Sequence, residues 1–178
     1  MPSGRSHDAI TFLLAAPAAG LAYAMSADDL AIAAVAGFAF VFAGVMFGPD
    51  LDTKSKQYAR WGPFRLLWLP YRVVFKHRSR WSHGLIFGTL FRVVYFLGAA
   101  TIAAFLIAML LNLGLGDRAP EVLDFVKGWE SIGEAFKSGN ATWLFGAVLG
   151  GMWAGAASHT LTDIVITYIK TGRVDALF

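Results

Sequence analysis

Four long stretches of this chain are apolar almost without interruption, and that pattern commits it to a membrane. A spanning helix needs about 20 mostly apolar residues. Residues 9–25, 30–47, 84–111 and 141–169 each approach or exceed that length. The first contains Pro17, which packing in a bundle accommodates. The fourth is rich in small residues (Gly146, Gly150, Gly151, Ala154, Gly155), which let helix backbones approach closely. Of the 178 residues, 57% are hydrophobic and only 15% are charged. A soluble domain carries about 25% charged residues, so this chain cannot clothe a water-exposed surface. There is no cysteine, which excludes disulfides, thiolate metal sites and thiol redox chemistry. The expected architecture is a single all-α domain, an integral membrane four-helix bundle.

Charge sets the expected orientation. Residues 48–83 hold eight basic side chains (Lys54, Lys56, Arg60, Arg65, Arg72, Lys76, Arg78 and Arg80) against two acids, Asp50 and Asp52. In a membrane protein such a loop stays in the cytoplasm, because Lys and Arg resist translocation, and no nucleic-acid partner is expected. The 113–140 segment carries five acids and three bases and suits the outside, as a modest amphipathic helix. Both termini then lie inside. Within the basic loop, Trp61–Phe75 mixes aromatics with Arg65 and Arg72, which places an interfacial helix, broken near Pro70, in the cytoplasmic loop. Arg5, the apolar run and Ala22-Tyr23-Ala24 resemble a secretory leader, but His7 and Asp8 make it too polar, and the segment reads as a retained helix.

The polar residues that chemistry needs fall in four clusters: Ser6-His7-Asp8, Asp50-Leu51-Asp52, His77 to His83, and Ser158 to Asp163. The orientation derived from Lys and Arg brings all four to the cytoplasmic face. His159 and Asp163 stand one turn apart on one helical face. Ionisable groups inside a span are costly and usually mark a function. His7, Ser6 and Ser82 also suit helix starts, and Asp50 and Asp52 also suit the end of the second span. Neutral imidazole and carboxylate together form the ligand set for zinc, manganese or iron. Candidate ligands are His7, Asp52, His83, His159 and Asp163, with Asp8, Asp50 and His77 as further candidates. One or two divalent ions fit this set, zinc first. Asp50-x-Asp52 alternates its side chains if extended, so one of the two should ligate directly while the other orients a histidine. Arg92, eight residues inside the third span, should reach toward the inner face or pair with an acid.

The segments PSGRSHD, GPDLDTKS, RWGPFRLLWLPYR, HRSRWSHG and SHTLTD, in this order, resemble a family of short bacterial membrane proteins known only as metal-binding. More loosely, the PD-x-D, HR-x-x-SH and late SH-x-x-x-D elements look like those of inner-membrane metal-dependent hydrolases. This resemblance implies metal binding by His7, Asp8, Asp50, Asp52, His77, His83, His159 and Asp163, in a bacterial inner membrane. The metal-free phosphohistidine lipid phosphatases are set aside: Arg5 replaces the histidine of their PSGH motif, and Met152-Trp153 replaces their Ser-Arg.

Metal-bound water beside arginines at headgroup level suggests phosphoester hydrolysis of a phospholipid or another lipid-linked phosphate. Asp8 or Asp50 would serve as general base and Arg78 would hold phosphate. The alternative is a metal-binding, transport or sensor protein without catalysis. The outer halves of the first, second and fourth spans offer no acid or histidine for a transport path. Homo-oligomerisation is left open by the sequence.

Overall fold

In a computed structural model, residues 4–75, 84, 87–115, 121–137 and 139–172 are described, and every regular element among them is helical. The chain order is α1 (Gly4–Met25), α2 (Leu30–Met46), a 3-10 turn (Pro49–Asp52), α3 (Lys56–Arg60), a 3-10 segment (Gly62–Trp68), α4 (Leu69–Val74), α5 (Phe87–Leu115), α6 (Val122–Phe136) and α7 (Gly139–Thr171).

Local chemistry explains the helix ends. Between α1 and α2 the chain reverses through Ala27 and Asp28, both at positive φ (55° and 65°). Asp29 then caps α2, its Oδ1 accepting from the N–H groups of Ala31 (2.8 Å) and Ile32 (3.1 Å). α1 begins at Gly4, before the apolar run, so Ser6, His7 and Asp8 lie inside the helix rather than at its cap. Apolarity marks where a helix can be buried in lipid, and helical hydrogen bonding continues past that limit. Pro70 sits in the first turn of α4, where its missing N–H costs nothing, so it starts a helix instead of breaking one.

α1, α2 and α7 form the packed body of the molecule, with α2 in the middle. Gly151 lies against the Ala36 carbonyl and Gly155 against the Phe40 carbonyl, so a Cβ at either glycine would collide with α2 backbone. This is the close approach expected of small residues spaced four apart. α5 leans on the body through its first turns. There Tyr95 and Phe96 join Phe47, Trp61, Trp68 and Tyr71 in an aromatic cluster, with Trp68 and Phe96 stacked at 5.8 Å.

That cluster shows how the basic loop packs on the protein. Trp68 and Tyr71 are wholly buried, while Phe64 is exposed. The Trp61–Phe75 stretch therefore buries Trp68 and Tyr71 fully and packs Trp61 and Phe75 partly against the same core. The four-span bundle is supported only in part. Three helical stretches, Gly4–Met25, Leu30–Asp52 and Phe87–Leu113, are long and apolar enough to cross a membrane. α7 is longer than any of them, but glycines and the Ser158–Asp163 polar group dilute its apolar character.

Substituting Gly155→Val should force α7 off α2. Overpacking costs typically about 1–3 kcal/mol, and more where the colliding atom is backbone. A lowered thermal midpoint in detergent, with Gly146→Val near neutral, is the expected result; Gly146 has open space beside it.

A buried histidine and carboxylate cluster

The C-terminal end of α2 positions the site. The last turn of a helix leaves its carbonyls without helical donors. Here three consecutive carbonyls are taken by side chains from α3 and its C-terminal flank. Gln57 Nε2 donates to Gly44 O (3.0 Å), Arg60 Nη1 to Val45 O (2.8 Å), and Trp61 Nε1 to Met46 O (2.9 Å). Gln57 Nε2 also lies 3.3 Å from His159 Nδ1. The two Arg60 terminal nitrogens also form a paired contact with Asp8, at 2.9 and 2.6 Å. The Asp8 carboxylate pushes the Arg60 guanidinium still further above its ordinary value, so Arg60 stays charged.

Behind this frame lie His7 of α1 and His159 and Asp163 of α7, all buried. The two imidazoles stack face to face, with centroids 3.7 Å apart and planes 8° from parallel. Both direct Nε2 at the same carboxylate: His7 is 3.2 Å from Asp163 Oδ1, and His159 is 3.7 Å from Asp163 Oδ2. Asp50 Oδ2 adds a fourth atom 3.5 Å from His159 Nε2. Each of the three buried residues offers a ligand atom within 4.8 Å of the others.

Two of these separations, 3.5 and 3.7 Å, are longer than a hydrogen bond, and the 3.2 Å contact of His7 stands at the upper limit of one. N–H···O bonds run about 2.7–3.2 Å. Tetrahedral ligands held at about 2.0–2.1 Å from one ion stand about 3.3–3.4 Å apart. His159 Nε2 and Asp163 Oδ1 are buried and make no hydrogen bond. Buried polar atoms without a hydrogen bond are costly, and a bound cation would satisfy both. The nearby hydroxyls are already used: Ser158 donates to Gly155 O and Thr162 to Ser158 O, both within their own helix. The His7, His159 and Asp163 group can therefore hold a metal ion.

Comparison with protein families matches residues 2–173 to a description that reads uncharacterized metal-binding protein (DUF2227). The chain belongs to this family. Searches of curated proteins and of solved structures find no match. The family description covers metal binding and extends to neither a metal identity nor a reaction.

The structure places the other sequence candidates unevenly. His77, Arg78 and His83 lie outside the described residues. Asp8 is engaged by Arg60 and sits apart from the triad. Of the Asp50 and Asp52 pair, Asp50 is the one that approaches His159, because the two residues lie in a 3-10 turn rather than an extended strand. Asp52 is buried instead. Arg92 is buried too; it donates to Thr89 Oγ1 (3.1 Å) and lies within electrostatic reach of Asp52 and Asp50. Burial raises the Tyr71 phenol above its ordinary value and keeps it neutral beside this guanidinium. Gln57 was missed by sequence reasoning. Its signal is faint, since one neutral amide in a basic, aromatic loop looks like any surface glutamine.

Gln57 should behave as an orienting partner of His159. Groups that hold a ligating histidine typically contribute about 10–100-fold in metal affinity. Titrating zinc into Gln57→Ala should show a loss of that size, whereas Gln57→Glu, which replaces the amide nitrogen beside His159 Nδ1 with an oxygen able to accept from Nδ1–H when Nε2 ligates, should recover part of it.

Proposed function

We propose that this protein is a membrane-embedded metal-dependent hydrolase, a phosphoesterase acting on a lipid or lipid-linked phosphate at the cytoplasmic face of a bacterial inner membrane, with both termini inside. The observation that carries the reading is the buried His7, His159 and Asp163 group with the partly exposed Asp50 carboxylate at its rim. A purely structural ion is normally enclosed by four protein ligands, whereas a working site keeps one position for water or substrate. Three buried ligands and one carboxylate reached by solvent suit the second arrangement.

Each residue has a definable part. A bound divalent ion would supply an activated water and polarise a phosphoryl oxygen. His7, His159 and Asp163 would hold it, and Gln57 fixes the His159 ring. Asp50, the carboxylate at the rim, is placed to take a proton from incoming water. Asp8 does not serve as the base in this reading, because its two oxygens are engaged by Arg60. Arg78 remains the residue proposed to hold phosphate, on the chemistry of guanidinium alone. Zinc is the first choice of ion for an imidazole and carboxylate set, with manganese and iron next.

The test joins metal content to turnover. Protein purified in detergent should carry bound transition metal by mass spectrometry, and His159→Ala/Asp163→Ala should lose it. Loaded wild type should release phosphate or headgroup from phospholipid in mixed micelles, and Asp50→Asn should retain metal while turnover falls about 100-fold or more. Bound metal without any release would leave metal binding and remove the hydrolase reading.

A further inference from the structure

Beside the cluster, α1 and α7 do not close on each other. A cavity of about 520 Å³ lies between them, floored by Phe40 of α2. A second cavity of about 410 Å³ continues toward the far ends of the same two helices. Ala18, Leu21, Trp153 and Ala154 line both, so the two form one seam. Its walls are almost wholly apolar. The only polar side chains in the first cavity, Ser158 and Thr162, sit next to His159 and Asp163, and both hydroxyls are turned back onto their own helix.

From this seam we infer that α1 and α7 seat one hydrocarbon chain of a lipid, whose polar head reaches the His7, His159 and Asp163 cluster. The head's chemistry rests on the hydrolase reading above; the seat of the chain does not. Length permits the assignment, the seam being longer than the depth of hydrocarbon that one leaflet supplies. The seam runs from Ile10 to Met25 along α1, about 22 Å at about 1.5 Å per residue. A chain in one leaflet must cover about half of a core about 30 Å thick. Position completes the argument. Ile10 follows His7 by three residues and Ile166 follows Asp163 by three, so the polar end of the seam is the metal-ligating end. The small side chains of Ala18, Ala154 and Ala157 keep it open.

The experiment uses the full chain in phosphatidylethanolamine and phosphatidylglycerol vesicles. These contain a phospholipid with a photoreactive diazirine at the tip of one acyl chain. Cross-links should concentrate on Leu21, Met25 and Trp143, at the far end of the seam. Ala154→Trp, which fills the shared section, should cut them at least five-fold without changing metal content per chain. Ala18→Leu is the milder variant should the tryptophan prevent folding, and it should lower labelling in the same positions. Labelling spread evenly over the exposed α5 residues Val94, Ile102 and Met109 as over the seam would mean ordinary surrounding lipid and would overturn the inference. So would labelling that neither variant changes. Cross-linking needs no turnover, so a localised pattern from a protein that releases no phosphate would reject hydrolysis and keep the lipid seat.

Discussion

The arrangement depends on how one helix ends. α2 stops at Met46 with its last carbonyls beyond the reach of helical donors, and a buried carbonyl left bare costs about 1–3 kcal/mol. Gln57, Arg60 and Trp61 meet that demand from α3 and the residue that follows it. Each then does a second task on its other side: Gln57 touches His159, Arg60 engages Asp8, and Trp61 enters the aromatic cluster. The basic loop is thus folded against the helix end by backbone hydrogen bonding first. The arrangement of the His7, His159 and Asp163 group follows from it.

Glycine packing supplies the other half. Because Gly151 and Gly155 let α7 lie against the α2 backbone, the polar turn of α7 arrives level with the α2 terminus and with the start of α1. Helices joined loosely could not hold the His7, His159 and Asp163 atoms within 4.8 Å of one another. In a membrane, where lipid competes on equal terms with apolar side chains, such close backbone approach is a principal source of fixed geometry.

Much of this was legible from residue order. The apolar runs located α1, α2, α5 and α7, and the i,i+4 pair His159 and Asp163 pointed to the cluster. His7 entered the candidate set because the orientation derived from Lys and Arg brings its cluster to the same face as the others. The choice between Asp50 and Asp52 was not readable, since it turns on whether Pro49–Asp52 coils or extends. Nor was the fate of Asp8, which depends on an arginine 52 residues away. The inward turn of Trp68 and Tyr71 was hidden for a similar reason: aromatics with arginines serve a headgroup layer or a core equally well, and only the position of Phe96 decides.

His7 and His159 belong to the first and last helices of the described chain, and about 150 residues separate them. An ion held between them closes a loop of nearly the entire sequence. Loop closure of that length restricts an unfolded chain by about 4–5 kcal/mol in the entropic account of cross-links. A protein with no cysteine has no covalent means of doing this. The metal would therefore act as a reversible clasp, and the availability of the ion would govern how long the folded chain survives in the membrane, apart from any reaction it supports.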